Sequence, residues 1–217
     1  APNEKLQRPK DSHLPFLMVC VFFLAIAAGI SLTGEFPIND DYIYTWSVRH
    51  LLETGQFKIP GTVASSIFPI YSGAGICALA GGFSFGLLRV LSFIFGLAGG
   101  VGLYLAVRET GLRNRDAAIF SAVYLLNPLF VNVNFGFMTD VPALALNNWF
   151  LYFGLRIAKS RAARLDWSSL CGAFVVVSLA VASRQTILAL LPATLILACR
   201  PGLAPVARIA IVSTLAI

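Results

Sequence analysis

Long apolar runs alternate with short polar segments along most of the chain. A helix needs about 20 consecutive apolar residues to cross the hydrocarbon core of a bilayer. Runs near that length recur along the whole sequence, so the pattern predicts an all-α integral membrane protein, a polytopic helical bundle. The predicted spans are 15–34, 87–107, 117–137, 141–158, 167–183, 186–199 and 207–217.

The apolar stretch 66–85 is interrupted by Pro69 and several glycines, and whether it crosses decides the topology of all later spans. Basic residues concentrate in cytoplasmic loops. If 66–85 crossed, the two most basic loops would both be translocated. We therefore predict a half-embedded helix here, re-entrant or lying at the interface, with a cytoplasmic N-terminus. The basic residues then placed inside are Lys5, Arg8, Lys10, Arg108, Arg113, Arg115, Lys159, Arg161, Arg164, Arg200 and Arg208.

Composition supports the membrane class, because only 12% of the residues are charged and 58% are hydrophobic. Soluble domains carry about 25% charged residues. The net charge of +6 could suggest a nucleic-acid partner, but the basic residues cluster at the ends of apolar runs and no nucleic-acid-binding motif is present. We expect no nucleic acid among the partners, and we expect the bilayer itself to be one.

The four cysteines all lie within apolar runs, without CxxC spacing, and are interpreted as small buried apolar residues rather than a redox or metal site. The chain lacks an initial Met and stops inside the apolar run 207–217. We expect an N-terminal fragment whose C-terminal part is missing. The cysteines are Cys20, Cys77, Cys171 and Cys199.

The segment 35–65 is predicted to be an outer loop that carries an amphipathic helix on the membrane surface. Asn39 or Asp40 is a suitable N-cap, and apolar residues follow with helical spacing. Gly55 is a suitable helix stop, with Pro60 beyond it. The tryptophan and tyrosines of this helix are the residue types that lie at headgroup depth.

Asp40 and Asp41 are the first candidates for chemistry. Capping and the helix macrodipole explain one carboxylate at a helix start well and the second less well. Adjacent carboxylates repel each other, so such a pair is unusual without a cation, an arginine or a shared proton. From the residues alone, function and capping are about equally supported.

A second group of candidates lies on the same predicted side. Asp140 begins a span just before Pro142, where N-capping is again the structural alternative. Arg184 stands between two apolar runs and Arg89 near the start of a span. Either arginine could pair with a phosphate or carboxylate, or extend its side chain to lipid headgroups.

Together these residues resemble the GT-C fold glycosyltransferases, specifically the bacterial branch similar to protein O-mannosyltransferases and aminoarabinose transferases. The resemblance covers residues 12–200. It rests first on the order of residues in the outer loop: an acidic pair, an aromatic residue, an Arg, a pair of Leu, then a Gly and a Pro. The loop stretch is N-D-D-Y-I-Y-T-W-S-V-R-H-L-L-E-T-G-Q-F-K-I-P. Also similar are F-P at 68–69, L-R-V-L-S at 88–92, N-P at 127–128 and F-M-T-D-V-P at 137–142.

The resemblance implies a GT-C-like bundle with outer-surface juxtamembrane helices in a bacterial inner membrane. It implies inverting transfer of a sugar from a polyprenyl-phosphate donor to a glycan, lipid or protein acceptor at the periplasmic face. Asp40 matches the catalytic base, and Asp41 and Asp140 match the other two acidic positions, near the acceptor or donor, so all three are predicted to be catalytic residues. Arg184 and Arg89 are the candidates for the donor phosphate.

Tyr44, Arg49 and His50 are the loop candidates for acceptor contacts, although most such residues are merely solvated. If a divalent cation is required, Asp40, Asp41 and Asp140 are its candidate ligands, but no spacing demonstrates a metal site. One departure concerns the donor: relatives that transfer aminoarabinose carry a Lys just before the Pro of the half-embedded helix. This chain has Ser66, Ile67 and Phe68, which argues against that specificity.

The chemistry agrees with this interpretation independently. A phosphate leaves without needing a proton, so the enzyme needs one carboxylate for the acceptor's proton and cations to hold the phosphate. The alternatives are a transporter or flippase that uses the outer-face carboxylates, and an assembly subunit without catalysis. Transporters place such charges near the bilayer midplane on broken helices, whereas these carboxylates are predicted at helix starts on the surface.

Overall fold

The computed structural model describes residues 12–29, 34–38, 40–61, 66–159 and 166–189, and the regular structure within these ranges is helical throughout. The predicted span 207–217, most of 186–199, the basic N-terminal tail, Asn39, Arg161, Arg164 and Cys199 lie outside the described residues. The helices are α1 (Leu14–Gly29), α2 (Asp41–Thr54), α3 (Ile67–Leu79), α4 (Phe85–Glu109), α5 (Asn114–Leu125), α6 (Pro128–Asn134), α7 (Asp140–Lys159) and α8 (Trp167–Val181), followed by a 3₁₀ turn, Gln185–Ala189.

The long helix α4 is the centre of the bundle and packs mainly against α7 and α5. Its 25 residues extend about 37 Å at 1.5 Å per residue, enough to cross a bilayer. Glycines let α7 approach it closely: the Asn148 side chain donates to the carbonyl oxygen of Gly99 at 3.1 Å, and the Trp149 indole donates to that of Ala98 at 3.0 Å.

The predicted span 117–137 is divided in the structure. Helices α5 and α6 meet at a bend of 60°. Pro128 stands in the first turn of α6, and the Asn127 side chain accepts a hydrogen bond from the backbone N–H of Leu129 at 2.9 Å. Asn127 therefore starts a new helix where the sequence predicted one continuous element. The pair forms either a broken span or a re-entrant segment.

Among the described helices, α4 alone is long and apolar enough to cross by itself, and the bent pair α5–α6 passes the same criterion together. Helices α1, α3 and α8 are apolar but only 16, 13 and 15 residues long. The membrane disposition of each, including the half-embedded position of 66–85, stays a prediction.

Helix α2 occupies the middle of the predicted outer loop. It ends at Gly55, whose φ of 70° is left-handed and whose N–H bonds the carbonyl oxygen of Leu51 at 2.9 Å. Tyr44 and Val48 on its inner side belong to a buried apolar cluster with Ile70, Leu88 and other residues of α3 and α4. This packing fixes α2 against the end of the bundle that carries the candidate residues.

Candidate active site

The adjacent carboxylates Asp40 and Asp41 lie in different surroundings. Asp40 is exposed at the N-cap position of α2, and its side chain makes no capping hydrogen bond. Asp41 is only 1% exposed. Its Oδ1 accepts the N–H of Ile38 at 2.7 Å and its Oδ2 accepts the N–H of Phe137 at 3.4 Å. The structure thus leaves the carboxylate of Asp40 in solvent contact and encloses that of Asp41.

Opposing influences act on the protonation of Asp41. Burial raises the pKa of this carboxyl above its ordinary value, because desolvation disfavours the charged form. The N–H groups of Phe137 and Ile38 and the positive charge of Arg89 lower it, but burial has the larger effect.

Arg89 is also buried, with 2% of its surface exposed. The two terminal nitrogens of its guanidinium donate to the carbonyl oxygens of Gly34 and Phe36, at 2.7 and 2.6 Å. The Phe36 ring lies 5.5 Å from the guanidinium carbon. In this structure Arg89 therefore holds the chain before α2, and its predicted contact with donor phosphate stays a prediction.

Asp140 and Arg184 form an ion pair between the Oδ1 of Asp140 and a terminal guanidinium nitrogen. Both side chains keep substantial exposure, 33% and 43%. Asp140 lies in the first turn of α7, and Arg184 follows the end of α8. The sequence predicted both residues on one side, and the structure brings them into contact.

The segment 135–139 connects this ion pair to Asp41. Phe137 donates its N–H to Asp41, and Ser92 of α4 donates its hydroxyl to the carbonyl oxygen of Gly136 at 3.0 Å. Asp140 follows Phe137 by three positions, which is at most about 11 Å of extended chain. The acidic loop, α4 and the Asp140–Arg184 pair therefore meet at one end of the bundle.

The candidate acceptor residues of α2 lie in three different environments. Tyr44 is buried in the apolar cluster under α2, and His50 stacks on Trp46 with 4.9 Å between ring centroids. Arg49 is exposed and its guanidinium lies 4.3 Å from the Phe83 ring centroid. Arg49 lines a cleft of about 260 Å³. The other lining residues are Glu35, Pro37, Tyr42, Thr45, Trp46, Phe83 and Phe85.

A second opening runs beside Asp140. This groove has a volume of about 600 Å³ and is bounded mainly by apolar residues of α4 to α7. Asp140 also lines it. Asn127 and Tyr124 contribute further polar groups to its lining. Within the described ranges, no three His, Cys, Asp or Glu side chains converge as ligands for a metal ion.

The sequence interpretation did not single out Glu35 or Ser92. Glu35 accepts hydrogen bonds from the Ser84 hydroxyl at 3.1 Å and the Phe85 N–H at 3.4 Å, so it caps the start of α4 from the outer loop. Ser92 lies one turn after Arg89 on α4. A serine one turn from an arginine in an apolar span was the available signal, since buried polar groups in spans need a partner.

Comparison with known proteins gives one family. A family model described as dolichyl-phosphate-mannose-protein mannosyltransferase matches residues 66–214. Arg89, Asp140 and Arg184 lie within the matched range, and the loop that carries Asp40 and Asp41 precedes it. No curated protein and no solved structure matches the chain.

Proposed function

Because the chain belongs to the dolichyl-phosphate-mannose-protein mannosyltransferase family, polytopic membrane glycosyltransferases of the GT-C type, we propose that Asp40 is the general base of an inverting sugar transfer. The donor is a polyprenyl-phosphate sugar, the substrate class of this family. The reaction takes place at the outer face of a bacterial inner membrane, with the N-terminus in the cytoplasm. Family membership favours an enzyme over the transporter and the assembly subunit.

The difference between the two adjacent carboxylates carries the base assignment. Asp40 is exposed, whereas both oxygens of Asp41 are engaged by backbone N–H groups in a buried position. A general base must come within hydrogen-bond reach of the proton that it removes. Asp40 is the member of the pair that an acceptor can reach.

In the proposed transfer, one bond to the anomeric carbon forms as another breaks, and the acceptor proton has a defined destination. The acceptor oxygen attacks the anomeric carbon, the bond from that carbon to the phosphate oxygen breaks, and the acceptor proton passes to Asp40. The polyprenyl phosphate leaves as an anion that needs no proton. Attack opposite to the leaving group inverts the anomeric configuration, and a single carboxylate is sufficient for this displacement.

Arg184 is the proposed contact for the departing phosphate. Its side chain is 43% exposed, and its guanidinium is paired with Asp140 in this structure. A guanidinium binds a phosphate or a carboxylate with the same forked geometry, so an anionic donor can share or replace the contact with Asp140. Asp140 would then keep the arginine oriented until the donor binds.

The test uses the full-length protein in liposomes with a panel of polyprenyl-phosphate sugars and acceptors, and mass spectrometry of the products. We expect Asp40→Asn to lower kcat by about 10²- to 10⁴-fold, because it removes the base. Glu53→Gln, which changes another exposed carboxylate on α2, should keep wild-type turnover. Substantial turnover by the Asp40→Asn enzyme would refute the base assignment.

The same assay tests Arg184. We expect Arg184→Gln to raise the KM for the donor more strongly than for the acceptor, because the lost contact is to phosphate. Arg113→Gln is the matched control, since Arg113 is 76% exposed and lies at the opposite, predicted cytoplasmic end. An unchanged donor KM would exclude Arg184 as the phosphate contact.

A further inference from the structure

The described residues just before α2, 34–38 and Asp40, include the proposed base and have no regular secondary structure of their own. We call residues 34–38 the outer strap. Its carbonyl groups at Gly34 and Phe36 accept hydrogen bonds from Arg89, and its N–H at Ile38 donates to Asp41. Arg89 and Asp41 therefore hold the strap at its beginning, middle and end.

Both holding side chains are ionisable and almost completely enclosed. Asp41 is 1% exposed and Arg89 is 2% exposed. Burial of a charge is costly unless hydrogen bonds and an opposite charge compensate for it. The planar guanidinium fork reaches two carbonyl oxygens at once, which an ammonium group does not reproduce. Such a costly arrangement beside a segment without regular secondary structure indicates a requirement for defined placement of that segment.

Asp41 also belongs to the other half of the site. Its second oxygen accepts the N–H of Phe137, and the chain from Phe137 leads directly to Asp140 and its partner Arg184. Any displacement of Asp41 would move the strap and the segment 135–139 relative to each other. Asp41 is therefore a carboxylate shared by the strap and by the segment that leads to the Asp140–Arg184 pair.

We propose that Asp41 and Arg89 are positioning residues that brace the outer strap and the segment 135–139, and so set the distance from Asp40 to the Asp140–Arg184 pair. The inference rests on the proposed function, because it concerns how the proposed base is held. It changes the roles that the sequence suggested: Asp41 acts through Asp40 rather than directly at the acceptor or donor, and Arg89 acts on carbonyl groups rather than on donor phosphate.

The kinetic test uses Asp41→Asn, Arg89→Lys and Arg89→Gln in the full-length protein in liposomes. We expect Asp41→Asn to lower kcat by about 100-fold, because a misplacement of about 1 Å has effects of that size. The KM for donor and acceptor should stay at wild-type values and the acidic limb of the pH–rate profile should persist, since Asp40 remains the base. The kcat of Arg89→Lys should lie between those of wild type and Arg89→Gln.

The controls are Asp116→Asn and Arg113→Gln, which change an exposed ion pair of 3.1 Å at the predicted cytoplasmic end. Both should keep wild-type kinetics. Loss of the acidic limb in Asp41→Asn would mean that Asp41 is itself the base that titrates in the reaction. A selectively raised donor KM in Arg89→Gln would mean that Arg89 binds the donor. Either result would overturn the positioning roles.

Amide hydrogen exchange tests the brace without relying on activity. In Asp41→Asn, peptides covering 34–41 and 135–140 should exchange faster than in wild type, while peptides from the middle of α4 should not change. Unchanged exchange in both peptides would overturn the brace. If the wild-type protein transfers no sugar, the proposed function fails, and the exchange data still decide whether the brace exists. Arg89→Lys provides the same comparison if Asp41→Asn does not fold.

Discussion

Asp166 is the N-cap residue of α8, and its carboxylate is hydrogen-bonded at the start of that helix. Its side chain accepts hydrogen bonds from the Ser168 and Ser169 hydroxyls, at 2.6 and 2.7 Å, and from the N–H of Ser169 at 3.1 Å. It also pairs with Arg156 at 3.0 Å. These hydrogen bonds, with a smaller contribution from Arg156, hold the pKa of the Asp166 carboxyl well below its usual range.

We therefore expect Asp166→Ala to lower the free energy of unfolding by about 1 kcal/mol at neutral pH, a common size for a lost N-cap. A depressed pKa means that the folded state binds the proton less readily than the unfolded state. The stabilisation is thus present above pH 4 and is lost as the pH falls through the lower pKa of the folded state. Unfolding in detergent should show the same difference between wild type and variant at pH 7 and pH 5, and a smaller difference at pH 3.

Glu53→Ala is the control for this comparison, because Glu53 is exposed and lies near the end of α2 rather than at its start. Its difference from wild type should not follow the same pH course. A difference between wild type and Asp166→Ala that stays constant from pH 7 to pH 3 would contradict the account of the Asp166 charge.

For Asp40 and Asp41, the sequence predicts that the pair needs compensation but not which member is buried. Repulsion between adjacent carboxylates predicted that one needs compensation, and the structure supplies it to Asp41 through two N–H groups and Arg89. Which of the two is enclosed depends on Phe137, which is remote in sequence. The sequence therefore predicts a special pair, whereas the exposure of each member follows from tertiary packing.

At the scale of the elements, close contact between α4 and α7 depends on residues without side chains. A Cβ added at Gly99 would lie 2.9 Å from the Ala145 Cα and 2.6 Å from the Tyr124 hydroxyl oxygen. A backbone atom cannot move away as a flexible side chain can. The hydrogen bond from Asn148 to the Gly99 carbonyl depends on the same close approach.

We expect Gly99→Ala to lower the free energy of unfolding by about 1 to 3 kcal/mol, the common cost of overpacking. Gly75→Ala is the matched control, because Gly75 is also within a helix and a Cβ there would meet nothing within 4 Å. It should be neutral or stabilising, since alanine favours helix more than glycine does. Equal stabilities of the two variants in detergent would show that the α4–α7 contact is looser than described.

Among the elements, α4 follows its sequence pattern closely, whereas the predicted span 117–137 divides into α5 and α6. Periodicity reports how apolar a run is and does not locate a bend within it. The Asn127–Pro128 pair was the local signal for the break, because proline removes a backbone donor and asparagine can cap the following helix. In an apolar run this long, hydropathy dominated the interpretation.

Across the whole molecule, the two ends of the bundle carry different charged groups. Glu109 at the end of α4 pairs with Lys159 at the end of α7 at 3.0 Å. The opposite end holds the braced strap and the Asp140–Arg184 pair. The 25 residues of α4 separate these ends by about 37 Å, which exceeds the hydrocarbon thickness of about 30 Å. The charged ends can therefore face opposite sides of a bilayer.

The two ends of α3 both make contacts at the same end of the bundle, which supports its predicted half-embedded position. At its start, the N–H of Phe68 donates to the Ala182 carbonyl at 3.0 Å, close in sequence to Arg184. After it, Ser84 bonds Glu35 of the outer strap. A crossing helix would place these two contacts on opposite sides of the membrane, about 30 Å apart, whereas α3 has only 13 residues, about 20 Å.

Single cysteines test this topology in a background where Cys20, Cys77, Cys171 and Cys199 are replaced by serine. A maleimide that cannot cross the membrane should label Glu53→Cys and Gly82→Cys on intact cells. It should label Leu112→Cys only after permeabilisation. Gly82 is suitable because it is exposed and an added Cβ meets nothing within 4 Å. The opposite pattern, Gly82→Cys protected and Leu112→Cys labelled, would mean that 66–85 crosses. Asp40 and Asp140 would then lie on opposite faces, and no single active site could contain both.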